Sequence, residues 1–210
     1  MRIKEVPMYK FEELTPERQK KEIDKHRNIN VDYIDWDDYL REEFISDMEK
    51  KGYLITNKNL YCDYSCSQGS GASFTAKVDV MKVIDRWDPN GSNYPRLRSM
   101  WKEGLYEVNI VKTSSNYCHS YTMDVSIEDT GGEDRVENSD DDLNNLTETV
   151  IEGGSYIDKL SEISGDILKE AREEANKFHK LVEDAYLENM SDESIKESII
   201  CNDMEFEGRE

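Results

Sequence analysis

The chain has 210 residues, with 47 acidic side chains against 27 basic ones and a net charge of -20. That length is enough to bury one substantial core and favours a single domain with an appended helical element. The charge repels nucleic acid and anionic membrane; it suits a basic partner, or simply keeps a protein in solution.

No apolar run reaches the length of a membrane span, and the opening MRIKEVPMYK lacks the apolar stretch of a signal peptide, so a cytoplasmic protein is expected. Cys62, Cys66, Cys118 and Cys201 show no framework spacing and are expected as free thiols.

In chain order, Thr15-Pro16-Glu17 reads as an N-cap, a proline at the first helical position and an acid in the first turn, predicting a helix to about Arg27. A second helix is predicted from Val31 to Lys51, ended by Gly52, with Tyr33, Trp36, Leu40, Phe44 and Met48 as its buried stripe. From Tyr53 to Glu128 the runs NLYCDYSC, SFTAKVDVMKVI, LYEVNIVKT and HSYTMDVSIED predict an antiparallel meander. The connection Asp88 to Trp101 reads as a long loop.

After the acidic GGEDRVENSDDDLNN, Tyr156 to Glu188 reads as a long amphipathic helix. Its seam is Ile157, Leu160, Ile167, Ala171, Phe178, Leu181 and Ala185, close to a heptad. Ser191 caps a last short helix, and MEFEGRE is extended or frayed. The expected fold class is α+β: a central antiparallel sheet, an N-terminal helical pair and a long C-terminal helix. The expected organisation is a core over 1–130, an acidic link over 131–155 and a helical region over 156–210.

The loop SQGSG stands between two strand patterns. Its plainest role is a hairpin turn whose glycines supply positive φ. A Walker phosphate loop is excluded, because the G-K-[ST] ending is missing and a strand follows. As a ligand loop, Ser67, Gln68, Gly69, Gly71 and Ser73 would offer backbone amides and hydroxyls to phosphate oxygens.

Four pieces occur in order along the chain: Phe11-Glu12-Glu13-Leu14, then Ser67-Gln68-Gly69-Ser70-Gly71-Ala72-Ser73-Phe74, then Ser191-Asp192-Glu193, then Asn202-Asp203-Met204-Glu205-Phe206. In these the chain resembles a family of small acidic proteins of bacteriophages and prophages that carry F-x-E-L, an SQGDGASF-like loop and a C-terminal S-D-E stretch leading to N-D-x-E-F. It departs from the pattern at Ser70, where an aspartate is expected, and at Cys66, where an aromatic is expected. The resemblance implies a phage-linked accessory protein acting in a host cytoplasm. By analogy with small acidic inhibitors, it points to the blunting of a host defence.

On the second predicted helix Asp35, Asp38, Glu42 and Glu49 fall within about a sixth of the circumference, opposite the apolar stripe, at about 100° per residue. Consecutive members are spaced by roughly 5 to 10 Å, comparable to phosphates along a nucleic-acid strand. The bland alternative is a solvated helix face. A second concentration runs from Asp124 through Glu152, where eleven acids, Asp140, Asp141 and Asp142 among them, meet only Arg135.

Against the acidity, Arg86, Trp87, Tyr94, Arg96, Arg98, Trp101 and Lys102 interleave cations with aromatics, as a single-stranded nucleic-acid or nucleotide site does. A core-anchored loop with solvated arginines gives the same pattern. His26, His119 and His179 sit in no recognisable metal or nucleophile motif, and the spacing of Cys62, Cys66 and Cys118-His119 is poor for zinc. No metal, cofactor or catalytic residue is assigned.

The expected function is binding rather than catalysis: an acidic surface that occupies a basic, nucleic-acid-facing groove on a host protein or ribonucleoprotein such as a CRISPR effector or restriction enzyme. Direct nucleic-acid or nucleotide binding through Arg86 to Lys102 and the Ser67 to Ser73 loop is the alternative. The long helix, at about 45 Å, exceeds a small domain, so self-association or partner docking through it is expected.

Overall fold

The computed structural model describes residues 6–33, 35–64, 69–91, 94, 98, 106–130 and 156–208. The chain falls into two compact units, one made of Met1–Tyr39 with Leu181–Glu210 and the other of Leu40–Lys180. The fold class is α+β with antiparallel sheets and a long C-terminal helix, as the sequence predicts.

In the first unit, strand β1 (Met8–Lys10) pairs antiparallel with β8 (Glu205–Glu207), so that Tyr9 faces Phe206. Helix α1 (Pro16–Lys25) starts where Thr15 Oγ1 accepts the Arg18 amide, with proline at its first turn. Helix α5 (Asp192–Cys201) starts where Ser191 Oγ accepts the Ser194 amide. Phe11, Leu14, Ile195, Ile199 and Phe206 make one buried cluster.

Residues of three motifs behind the phage-protein resemblance therefore have structural roles here. Phe11 and Leu14 are core, Ser191 is a cap, and Asp203, at φ 53, makes the turn into β8. Lys10 bridges that turn to the strand, 2.8 Å from Asp203 and 3.0 Å from Glu205.

In the second unit, β2 (Tyr53–Leu54), β5 (Ala76–Val78), β6 (Tyr106–Lys112) and β7 (Met123–Asp129) form a four-stranded antiparallel sheet in the order β2-β5-β6-β7. Val108 and Ile110 of β6 are buried and stand opposite Val78 and Ala76 on one side, and opposite Ile127 and Val125 on the other. This period-two pattern gives the sheet its core face. Strands β3 (Leu60–Asp63) and β4 (Gly71–Phe74) form a separate hairpin.

Helix α2 (Asp38–Lys51) ends at Gly52, whose φ of 98° needs glycine, and Leu40 and Met48 are buried on it. Helix α4 (Tyr156–Asn189) docks within the unit through backbone carbonyls. The Tyr53 hydroxyl donates to Ile167 O (3.3 Å), and Arg172 donates to Met123 O (2.7 Å). Phe44 stacks on Phe178 at 4.6 Å.

Three expectations need correction. The second helix begins at Asp38 rather than Val31, the described residues before it being turns and bends, and Tyr33 is exposed and is not part of the stripe. The run VMKVI is not a strand but part of α3 (Val80–Trp87). Asp79 Oδ1 accepts the Lys82 amide as its N-cap, and Val80, Val83 and Ile84 are buried at helical spacing. Finally, the buried seam of α4 passes through Val182 while Leu181 is exposed; Ile157 lies outside the side chains described.

Candidate functional site

Helix α2 carries the carboxylates first. Asp38, Glu42 and Glu49 lie within about 40° of one another around its axis, with axial steps of about 6 and about 10 Å. Glu42 and Glu49 are exposed and Asp38 is half-buried; none of the three has an ion pair among the described residues. Asp35 precedes the helix, where its carbonyl accepts the Asp38 amide at 3.2 Å, so it does not share the helical face. Asp47, a neighbour on the same helix, is hydrogen-bonded by Lys50 at 2.7 Å, which holds its pKa below the ordinary value. Asp140, Asp141 and Asp142 lie outside the described residues.

The cations tell a different story from their sequence pattern. Arg86 makes two bonds of 2.7 Å to the Glu170 carboxylate, which also accepts the Tyr53 hydroxyl at 2.8 Å. Burial, then the Glu170 charge, push the Tyr53 pKa far up, so it stays a protonated donor. Arg98 is hydrogen-bonded to Asp85 and, at 2.5 Å, to Asp88 O. Lys51 and Lys177 hold Glu174 at 2.6 and 2.7 Å, and Lys77 holds Glu107 at 2.6 Å.

Arg86 and Arg98 thus meet carboxylates of their own chain instead of facing outward for phosphates. Arg96 and Trp101 lie outside the described residues. Sequence reasoning missed Glu170 and Glu174 as the answering charges. Their spacing carried no signal for this, because Arg86 and Lys51 reach the long helix only through tertiary folding.

Of the Gly-Ser loop, Ser67 and Gln68 lie outside the described residues, while Gly69 leads into β4 and its carbonyl accepts the Cys118 amide at 3.5 Å. Gly71 is buried at φ 155°. A Cβ there would stand 3.0 Å from His119 Cα and 3.2 Å from Cys118 O, so glycine is what lets the hairpin close on the 118–119 backbone. Ser73 is fully buried, and its hydroxyl has no partner among the described residues. The described part of the loop is therefore a packed hairpin, with Ser73 turned away from solvent and from any dissolved phosphate.

A cleft of about 360 Å³ opens where α3 ends. Trp87, the last residue of α3, and Tyr94 from the following loop face Asp166, Lys169, Glu170 and Glu173. These last four recur at i, i+3, i+4 and i+7, so they form one stripe of α4 and one wall of the cleft. Burial, then the charges of Asp166 and Glu162, raise the Tyr94 pKa above its ordinary value, as expected of a phenol in a negative potential.

Cys62, Cys118 and Cys201 are free thiols. Among the described residues, no cluster of histidine, cysteine and carboxylate side chains is placed to hold a metal ion, and no helix is long and apolar enough to cross a membrane.

No curated protein and no solved structure matches the chain. A family model does match, that of the domain of unknown function DUF8835, over residues 36–192. The match takes in α2, the Gly-Ser hairpin and the cleft, and leaves out Phe11–Leu14 and Asn202–Phe206. Spanning well over half of the sequence, it shows that the chain belongs to the DUF8835 family.

Proposed function

We propose that the protein is a phage-type accessory protein that binds rather than catalyses. It presents carboxylates to the basic, nucleic-acid-facing groove of a host defence complex, a CRISPR effector or restriction enzyme, and so keeps nucleic acid out of it. The observation that supports this reading is the contrast between the carboxylates of one helix face, without ion pairs among the described residues, and several cations bonded to carboxylates of their own chain. Asp38, Glu42 and Glu49 point the same way without counter-ions among the described residues, whereas Arg86, Arg98, Lys51, Lys77 and Lys177 are each bonded to a carboxylate. Such a surface steers a basic partner through its charge, and its attraction weakens as salt rises.

The test is DNA cleavage by purified host restriction and CRISPR complexes with and without the protein, across a range of salt. Inhibition is expected at low salt, falling steeply as salt rises and weakened at least about tenfold by the triple reversal Asp38→Lys, Glu42→Lys, Glu49→Lys. Equal inhibition by the reversed variant, or none of any complex by the unaltered protein, removes the reading. The same measurements with oligonucleotides alone address direct nucleic-acid binding, which the carboxylate-bound Arg86 and Arg98 disfavour.

A further inference from the structure

We propose that the cleft between the end of α3 and α4 is a subsite for a guanidinium group, taken from an arginine side chain of the partner. Two kinds of wall carry the inference. Trp87 and Tyr94 supply aromatic rings, and Asp166 and Glu173 supply carboxylates about two helical turns apart on the facing helix. A planar cation is the chemistry that uses both: its face lies on a ring while its edge N–H groups donate to carboxylate oxygens.

The charges in the cleft favour that ligand. Glu170 is already balanced by Arg86. Among the described lining residues, what remains is Asp166 and Glu173 against Lys169. The described lining carries a negative surplus, so an anion is repelled, and a neutral donor gains hydrogen bonds without the charge attraction that a cation adds. Chain chemistry already sets a precedent within reach, since the Arg86 guanidinium sits 5.8 Å from the Trp87 ring while bonded to Glu170. A volume of about 360 Å³ admits the end of one long side chain and leaves no room for a folded peptide segment.

That the guanidinium comes from a protein rests on the reading of a basic partner given above; that the cleft takes a guanidinium does not. The test therefore uses small probes on the full chain. N-acetyl-arginine amide is titrated while the Trp87 indole N–H and the Asp166 and Glu173 backbone amides are followed by NMR, and the isosteric neutral N-acetyl-citrulline amide serves as control. Saturable shifts confined to these residues are expected with the arginine probe. They should weaken at least about tenfold for Trp87→Ala and for the Asp166→Asn, Glu173→Gln pair, each shown folded by its sheet amides. Absence of saturable shifts, equal binding of the citrulline probe, or affinity unchanged in both variants overturns the proposal. Binding of the probe together with failure to inhibit any defence complex would leave the subsite standing and remove the partner reading instead.

Discussion

Phe11 and Phe206, from opposite ends of the sequence, meet edge to face with ring centroids 6.3 Å apart, and His26 meets the same Phe206 ring at 6.1 Å. The terminal unit is organised around this ring. Replacing Phe206 with alanine removes the buried face that Phe11, Ile195 and Ile199 share, at a cost of about 3 kcal/mol. Amide hydrogen exchange should show protection lost first across Met8–Lys10 and Ile195–Ile199. Undiminished protection there would mean that the ring is not what holds β1 and β8 together.

Gly71→Ala tests the closure of the Gly-Ser hairpin. The new Cβ would meet backbone atoms of 118–119 at a left-handed φ, and backbone cannot swing aside as a flexible side chain can. A loss of about 2 kcal/mol or more is expected in chemical denaturation. A neutral result would show that the hairpin and the 118–119 backbone have room to part.

Ser73→Ala should behave in the opposite way. The Ser73 hydroxyl is fully buried without a partner among the described residues, so its removal deletes an unsatisfied polar group and leaves the methyl-sized space filled. Stability is expected to be unchanged or to rise by up to about 1 kcal/mol in thermal melts. A marked loss would reveal a partner for the hydroxyl.

Glu174 sets a pH dependence. Burial works to raise its pKa, but hydrogen bonds from Lys177 and Lys51 outweigh that and hold it below the ordinary value of 4.5. Because the folded value lies below the unfolded one, the stabilisation is present in full above about pH 4.5. It is lost as pH falls through the folded value. The stability gap between the unaltered protein and Glu174→Gln should therefore be widest at neutral pH and close on acidification, read from urea midpoints. A gap that is constant with pH would count against the Lys51–Glu174–Lys177 cluster.

Much of this fold was legible because local signals agreed with each other. Thr15-Pro16-Glu17 starts a helix, Gly52 stops one, Ser191 caps one, and the alternation through Val108 and Ile110 marks a strand. The misreadings have physical causes. Val80, Val83 and Ile84 are β-branched and look like a strand by propensity, but Asp79 caps them and their i, i+3, i+4 spacing buries a helical face.

A heptad seam placed Leu181 inside. The buried positions Leu160, Ile163, Ile167, Ala171, Ala175, Phe178 and Val182 instead follow the period of about 3.6 of a straight helix, which drifts away from a strict seven-residue repeat. In the candidate site the acids of α2 could be read from spacing alone. The pairing of Arg86 with Glu170 could not, because it joins segments that only tertiary folding brings together.

The pairing of β1 with β8 also bears on how the protein is made. Residues 8–10 are synthesised well before the strand that completes them, Glu205–Glu207, which follows far along the chain. Leu40–Lys180, whose sheet partners all lie within that span, has every internal contact available while later residues are still being added. The terminal unit does not. On the ribosome Tyr9, Phe11 and Leu14 remain without their apolar partners until Ile195, Ile199 and Phe206 emerge, so this part of the molecule assembles after synthesis passes them. For that interval, a short aromatic strand with an open edge is offered to chaperones or to neighbouring nascent chains.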